Sequence, residues 1–112
     1  MTDHPPTRVR LGQRTYTINI DDTGRLRDRA SNGETYNDLR QITVSAHLDA
    51  EPMREVVVHE LLHALTEYTG LYQDLEDPDA TVNDEQLVGR LAPALVDLLR
   101  SNPMLVAWLQ ED

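Results

Sequence analysis

The stretch that decides the fold is V56-V57-V58-H59-E60-L61-L62-H63-A64-L65-T66-E67-Y68-T69-G70. Two histidines stand four apart, with a glutamate directly after the first. On a helix, residues i and i+4 lie one turn apart on the same side. His59 and His63 can therefore offer two imidazoles to one point, while Glu60 projects about 100° round from His59. Val57, Val58, Leu61, Leu62, Leu65 and Tyr68 form a broad apolar face that leaves both histidines off the core. Asp49 suits the N-cap, Pro52 is tolerated in the first turn, and Gly70 is a good terminator. The spacing predicts one helix from about residue 49 to Tyr68.

Upstream the period is two. RTYTINI (14–20) alternates Tyr16, Ile18 and Ile20 against Thr15, Thr17 and Asn19, as a half-buried strand does. QITVSAHL (41–48) alternates in the same way. A short strand is expected over Leu26–Ala30, and another strand or irregular piece near Tyr36. Asp22-Thr23-Gly24 and Ser31-Asn32-Gly33 read as turns. Downstream, LYQDLEDPDA (71–80) reads as an acidic loop. Thr81 with Asp84 fits a capping box, opening a helix to about Arg100 with Pro93 inside it. Ser101-Asn102-Pro103 starts a short last helix whose Trp108 anchors the core or an interface. Strands followed by helices predict an α+β fold: a small N-terminal antiparallel sheet packed on the histidine helix and a following Glu-bearing helix. Residues 1–7 read as a disordered lead-in, and 8–112 as a single domain.

The chain has 112 residues, no Cys and no Phe. Without thiolates, any metal must take His, Asp or Glu ligands. The net charge of −10 lies in one half: residues 51–112 carry three Arg and thirteen acidic residues, 3 − 13 = −10, while residues 1–50 balance. An acidic half argues against nucleic-acid binding, which needs a basic footprint. No apolar run approaches membrane-spanning length and no signal peptide is visible, so a cytoplasmic protein without a membrane partner is expected.

Zinc accepts imidazole nitrogen and favours a tetrahedron, so two histidines need a third protein ligand. A third histidine six residues after His63 is excluded, because Thr69 stands there. The start of the next helix offers Glu85 and Asp84. Glu85 has the longer reach and is favoured; Asp84 faces the apolar stripe more squarely but has a capping role. His47, at the end of the second predicted strand, and His4 are not expected to take part.

The segment H59-E60-L61-L62-H63-A64-L65 resembles the active-site helix of the zincin metallopeptidases. A later helix supplying Glu is similar to the gluzincin branch, and the small size resembles the ImmA/IrrE, SprT-like and compact phage forms. The resemblance covers roughly residues 14–100, with HExxH as its one sharp motif. It implies a Zn²⁺ hydrolase acting on a protein or peptide substrate, with His59, His63 and Glu85 as ligands and Glu60 as general base. It also implies a cleft-edge strand, placed at 41–48, that pairs with extended substrate. An oxyanion donor could come from Tyr36, Tyr68 or Tyr72, of which Tyr72 fits best. The competing expectation is a non-catalytic acidic binding protein with a structural or vestigial metal.

Overall fold

The computed structural model describes residues 4–111. Its elements, in order, are β1 (Arg8–Leu11), β2 (Arg14–Asp21), α1 (Arg25–Asp28), β3 (Gly33–Tyr36), β4 (Gln41–Ser45), α2 (Ala50–Tyr68), α3 (Leu71–Glu76), α4 (Asp84–Ser101) and α5 (Pro103–Leu109). The class is α+β, as expected. The sheet is mixed rather than antiparallel, with strand order β1-β2-β4-β3. β1 pairs with β2, and β3 with β4, in antiparallel fashion, but β2 and β4 run parallel from Thr17↔Gln41 to Asp21↔Ser45. The parallel step arises because the chain leaves β2 through α1 and β3 before it returns as β4.

Leu26–Ala30 does not form the expected strand. Asp21 closes this corner: its carboxylate accepts from Leu26 N at 2.9 Å and Thr23 N at 3.1 Å. Gly24 supplies the left-handed φ of 86° that the turn needs. A single helical turn, α1, follows with Leu26 buried. β1 is a further strand that the alternation of its four residues is too short to announce.

One face of the sheet carries the core. Cross-strand neighbours on that face include Val9↔Tyr16, Ile18↔Ile42 and Ile20↔Val44. Met53, Val57, Leu61, Ala64 and Leu65 of α2 join the same cluster, with Leu98, Leu105 and Trp108 from α4 and α5. The buried face of α2 is thus turned from the expected one. Val58, Leu62 and Tyr68 are exposed, while Met53, Ala64 and Glu60 are covered. Trp108 is an anchor as expected: Arg54 lies over its ring and donates Nε–H to its carbonyl at 3.2 Å.

Gly70, with φ 79°, ends α2, but the acidic stretch beyond it is not wholly loop. Buried Leu71 anchors α3 there. The capping box of α4 is made by Asn83 and Gln86 rather than Thr81 and Asp84: Asn83 Oδ1 accepts from Gln86 N at 2.8 Å, and Gln86 Oε1 accepts from Asn83 N at 3.1 Å. Asp84 becomes the first residue of the helix. In the expected lead-in, residues 1–3 lie outside the described residues. Pro5 is buried and the Thr7 carbonyl accepts from Ile18 N at 2.8 Å, so the chain is already held beside β2 there.

Asn102 joins the two ends of the molecule. Its amide accepts from Arg10 N and donates to the carbonyls of Arg10 and Leu98, each at 2.7 Å. Asn102→Ala leaves β1 and the α4–α5 corner with unpaired groups. We expect a loss of about 1–3 kcal/mol, read by urea unfolding. A second test concerns acid. The Leu26 amide, then the Thr23 hydroxyl, hold the Asp21 carboxyl below its usual range. Such a group stabilises the fold fully above the ordinary carboxylate pKa, and that stability is lost as pH falls through the lowered one. Asp21→Asn should therefore lower the melting temperature at neutral pH, with the gap to wild type closing below about pH 4.

Candidate metal centre and cleft

β3 is an edge strand with β4 on one side only. Its register places Gly33 opposite Val44 and Thr35 opposite Ile42, so both face the core side where α2 lies. Gly33 lets the helix come close. A Cβ at that position would stand 2.8 Å from Val56 Cγ1 and 3.1 Å from Glu60 Cγ and Oε2. Thr35 then meets the helix directly: its hydroxyl donates to Glu60 Oε1 at 2.7 Å, with the Glu60 carbonyl at 3.2 Å. Glu60 is a buried carboxylate, 6% exposed, clamped between helix and edge strand.

His59 and His63 sit just above it, exposed, as their position off the core stripe predicts. Their Nε2 atoms are 3.2 Å apart, and His59 Nε2 lies 3.9 Å from Glu60 Oε2. Without a metal, that separation is an imidazole–imidazole hydrogen bond if one nitrogen carries the proton. It also matches a shared ion. Two nitrogens about 2.0–2.1 Å from one tetrahedral zinc stand about 3.3 Å apart. The spacing of the two nitrogens is thus compatible with a shared ion as well as with a hydrogen bond, and Glu60 lies beside them.

Glu85 and Asp84 are exposed in the first turn of α4. Neither is brought to the histidines: among the described residues, no group of three His, Asp or Glu side chains is gathered closely enough to hold a metal ion. What meets is the histidine pair, with the Glu60 carboxylate 3.9 Å from His59 Nε2.

Two depressions meet at Glu60. One runs past Ser31, Asn32, Gly33, Val56 and His59; the other past Thr35, Asn37, His63 and Tyr72. Glu60 lines both, and the second is the cleft beside His63. The strand with a free edge on this side is β3 and not 41–48, since β4 is paired on both sides. Of the three tyrosines considered, Tyr72 lines the cleft, carried there by α3. The Tyr36 hydroxyl donates to Glu34 at 2.8 Å, and Tyr68 stacks under Arg14 beside the Gly12 turn. His47 lies in the turn after β4, and His4 lines a separate depression beside Trp108.

The outer face of β3 is pinned as well. Glu34 accepts from Arg25 at 3.2 and 3.1 Å and from Arg29 at 3.1 Å. The Arg25 hydrogen bonds hold its carboxyl below the usual range. Gly33 and Thr35 are the site residues that sequence reasoning missed. Gly33 read as part of a turn, and Thr35 was hidden in a strand too short to show its facing.

No protein-family model matches the chain, nor does any curated protein or solved structure.

The Thr35–Glu60 contact is open to direct test. Thr35→Val keeps the shape but removes the donor to a buried carboxylate. We expect it to cost about 1–3 kcal/mol in urea unfolding, with Thr35→Ser retaining most of the stability.

Proposed function

We propose that this protein is a zinc-dependent metallopeptidase. The reading rests on one observation: two imidazole nitrogens 3.2 Å apart, a spacing that suits a single tetrahedral ion, with a buried glutamate beside them. His59 and His63 hold the ion. Glu85 is assigned as the third ligand, and Asp84 is the alternative; either requires the first turn of α4 to move toward the histidines. When bound, zinc supplies Lewis acidity, lowering the pKa of a water and polarising a carbonyl.

The chain's own residues do the rest. An extended peptide lies along β3, whose outer edge has no strand partner. Glu60 accepts a proton from the attacking water and returns it to the leaving amine. Thr35 holds the Glu60 carboxylate in place. Tyr72, which lines the same depression as Glu60 and His63, is assigned as donor to the oxyanion as the carbonyl becomes tetrahedral. The absence of Cys and the acidic C-terminal half leave imidazole and carboxylate as the donor set, which favours zinc among common divalent ions. Among the described residues, no helix is long and apolar enough to cross a membrane.

Metal content by mass spectrometry, on protein purified without chelator or His-tag, is the test. Wild type should carry one zinc per chain. His63→Ala should lose it and Glu60→Gln should keep it, while peptide turnover by Glu60→Gln falls by roughly 10²–10⁴-fold. Loss of zinc in Glu85→Ala but not Asp84→Ala would assign the third ligand as proposed. A wild type that binds no metal even after zinc addition would sink the proposal and favour an acidic binding protein.

A further inference from the structure

α4 has two apolar seams, and the fold uses one. Leu91, Ala94 and Leu98 pack toward the core, with Leu87 half-buried in line with them. A second seam, Val88, Ala92, Leu95 and Leu99, follows the alternating four- and three-residue spacing of a coiled-coil stripe. It faces outward: Val88 is 53% exposed, Leu95 40% and Leu99 41%, and beside them Val96 is 52% exposed. These four large apolar side chains form an exposed patch along one helix face.

We propose that this seam pairs with the same seam of a second copy, the two α4 helices running antiparallel about a two-fold axis at Ala92. Several features of the helix suit that partner. A two-fold interface must be self-complementary. Inversion about position 92 sends each residue to 184 minus its number, so Val88 lies level with Val96 and Leu95 with Gly89. On each side of the seam a large residue then meets a smaller one: Leu95 packs beside the partner's Val88, and Val96 beside the partner's Gly89. A Cβ at Gly89 would meet nothing within 4 Å, so that space is open to an incoming side chain. Ala92 at the axis lets the helices approach closely.

Charge sets the direction. The first turn of α4 is acidic, with Asp84 and Glu85, and the last carries Arg100. In the metal-free protein, where the first turn of α4 is not drawn to the histidines, antiparallel pairing brings each acidic turn to the other copy's Arg100, as 84 and 100 are level about 92. Parallel pairing would stack like charges. The helix itself carries three acidic residues and two Arg, a net −1, so most of the chain's negative charge lies elsewhere. Two copies meet here with the least repulsion. A single helix seam about 27 Å long makes a limited interface, so the association is reversible and concentration-dependent.

The experiment is sedimentation velocity from micromolar to millimolar protein, with chelator present so that metal at the histidines does not enter. Wild type should pass from monomer to dimer. Val88→Glu and Val96→Glu should each weaken association by about tenfold or more, and Arg100→Glu should weaken it too. Far-UV circular dichroism identifies any variant that fails to fold, and the other two then carry the comparison. Orientation is read in a chain that has no native cysteine. Ala92→Cys should form an intermolecular disulfide on mild oxidation. Val88→Cys should not, because the paired positions stand about 12 Å apart along the axis. A wild type that stays monomeric throughout, or association untouched by the Glu variants, overturns the interface. Equal cross-linking at 88 and 92 overturns the antiparallel arrangement.

Discussion

The rotational setting of α2 governs everything else in this molecule. Val57, Leu61, Ala64 and Leu65 must face the sheet, since together they close the core over Ile18, Ile42 and Val44. With that face fixed, every other position on the helix is fixed too. Glu60 falls at the edge of the buried arc, against β3. His59 and His63 fall one step further round, in the open. A helix turned by one residue would either bury both imidazoles or bring the Glu60 carboxylate into the open. Close packing resists such a turn, so the arrangement of the three side chains is held by apolar contacts that none of them makes.

β3 serves this arrangement through both its faces. Inward, Gly33 gives space and Thr35 gives a hydrogen bond, and together they seat Glu60. Outward, Glu34 is gripped by Arg25 and Arg29 and by the Tyr36 hydroxyl. Edge strands are exposed to unwanted pairing, and short length and charge are common protections. β3 has both, at four residues with Glu34 at its centre. The ion pairs lie near the surface and contribute modestly one by one. Their value is geometric, because they tie the edge strand to α1, whose corner is closed in turn by Asp21.

How much of this was legible in the sequence follows from the range of the forces involved. The long helix was legible because its period, its turn-ending Gly70 and its two histidines are all local signals. β2 and β4 were legible through alternation. Most of what failed was decided at a distance. Leu26–Ala30 looks extended until Asp21, five residues before Leu26, captures its amide. Asn83 rather than Thr81 caps α4, although both residue types are good caps, because Gln86 completes a reciprocal box with Asn83. The parallel β2–β4 step depends on the route of the chain through α1 and β3, which no window of ten residues contains. At the site, the two histidines and Glu60 came from one motif on one helix. Thr35 came from another element, and only strand register showed which way it points.

The Asn102 contact has a bearing on how the chain is made. It links positions 92 apart, and it supplies β1 with hydrogen bonds that β2 alone does not. Synthesis delivers Arg10 92 residues before Asn102. During that interval the first strand has its hairpin but not its lock. Until Asn102 has been made, the sheet edge at β1 lacks these bonds, so its lock is a closure between segments far apart in the sequence.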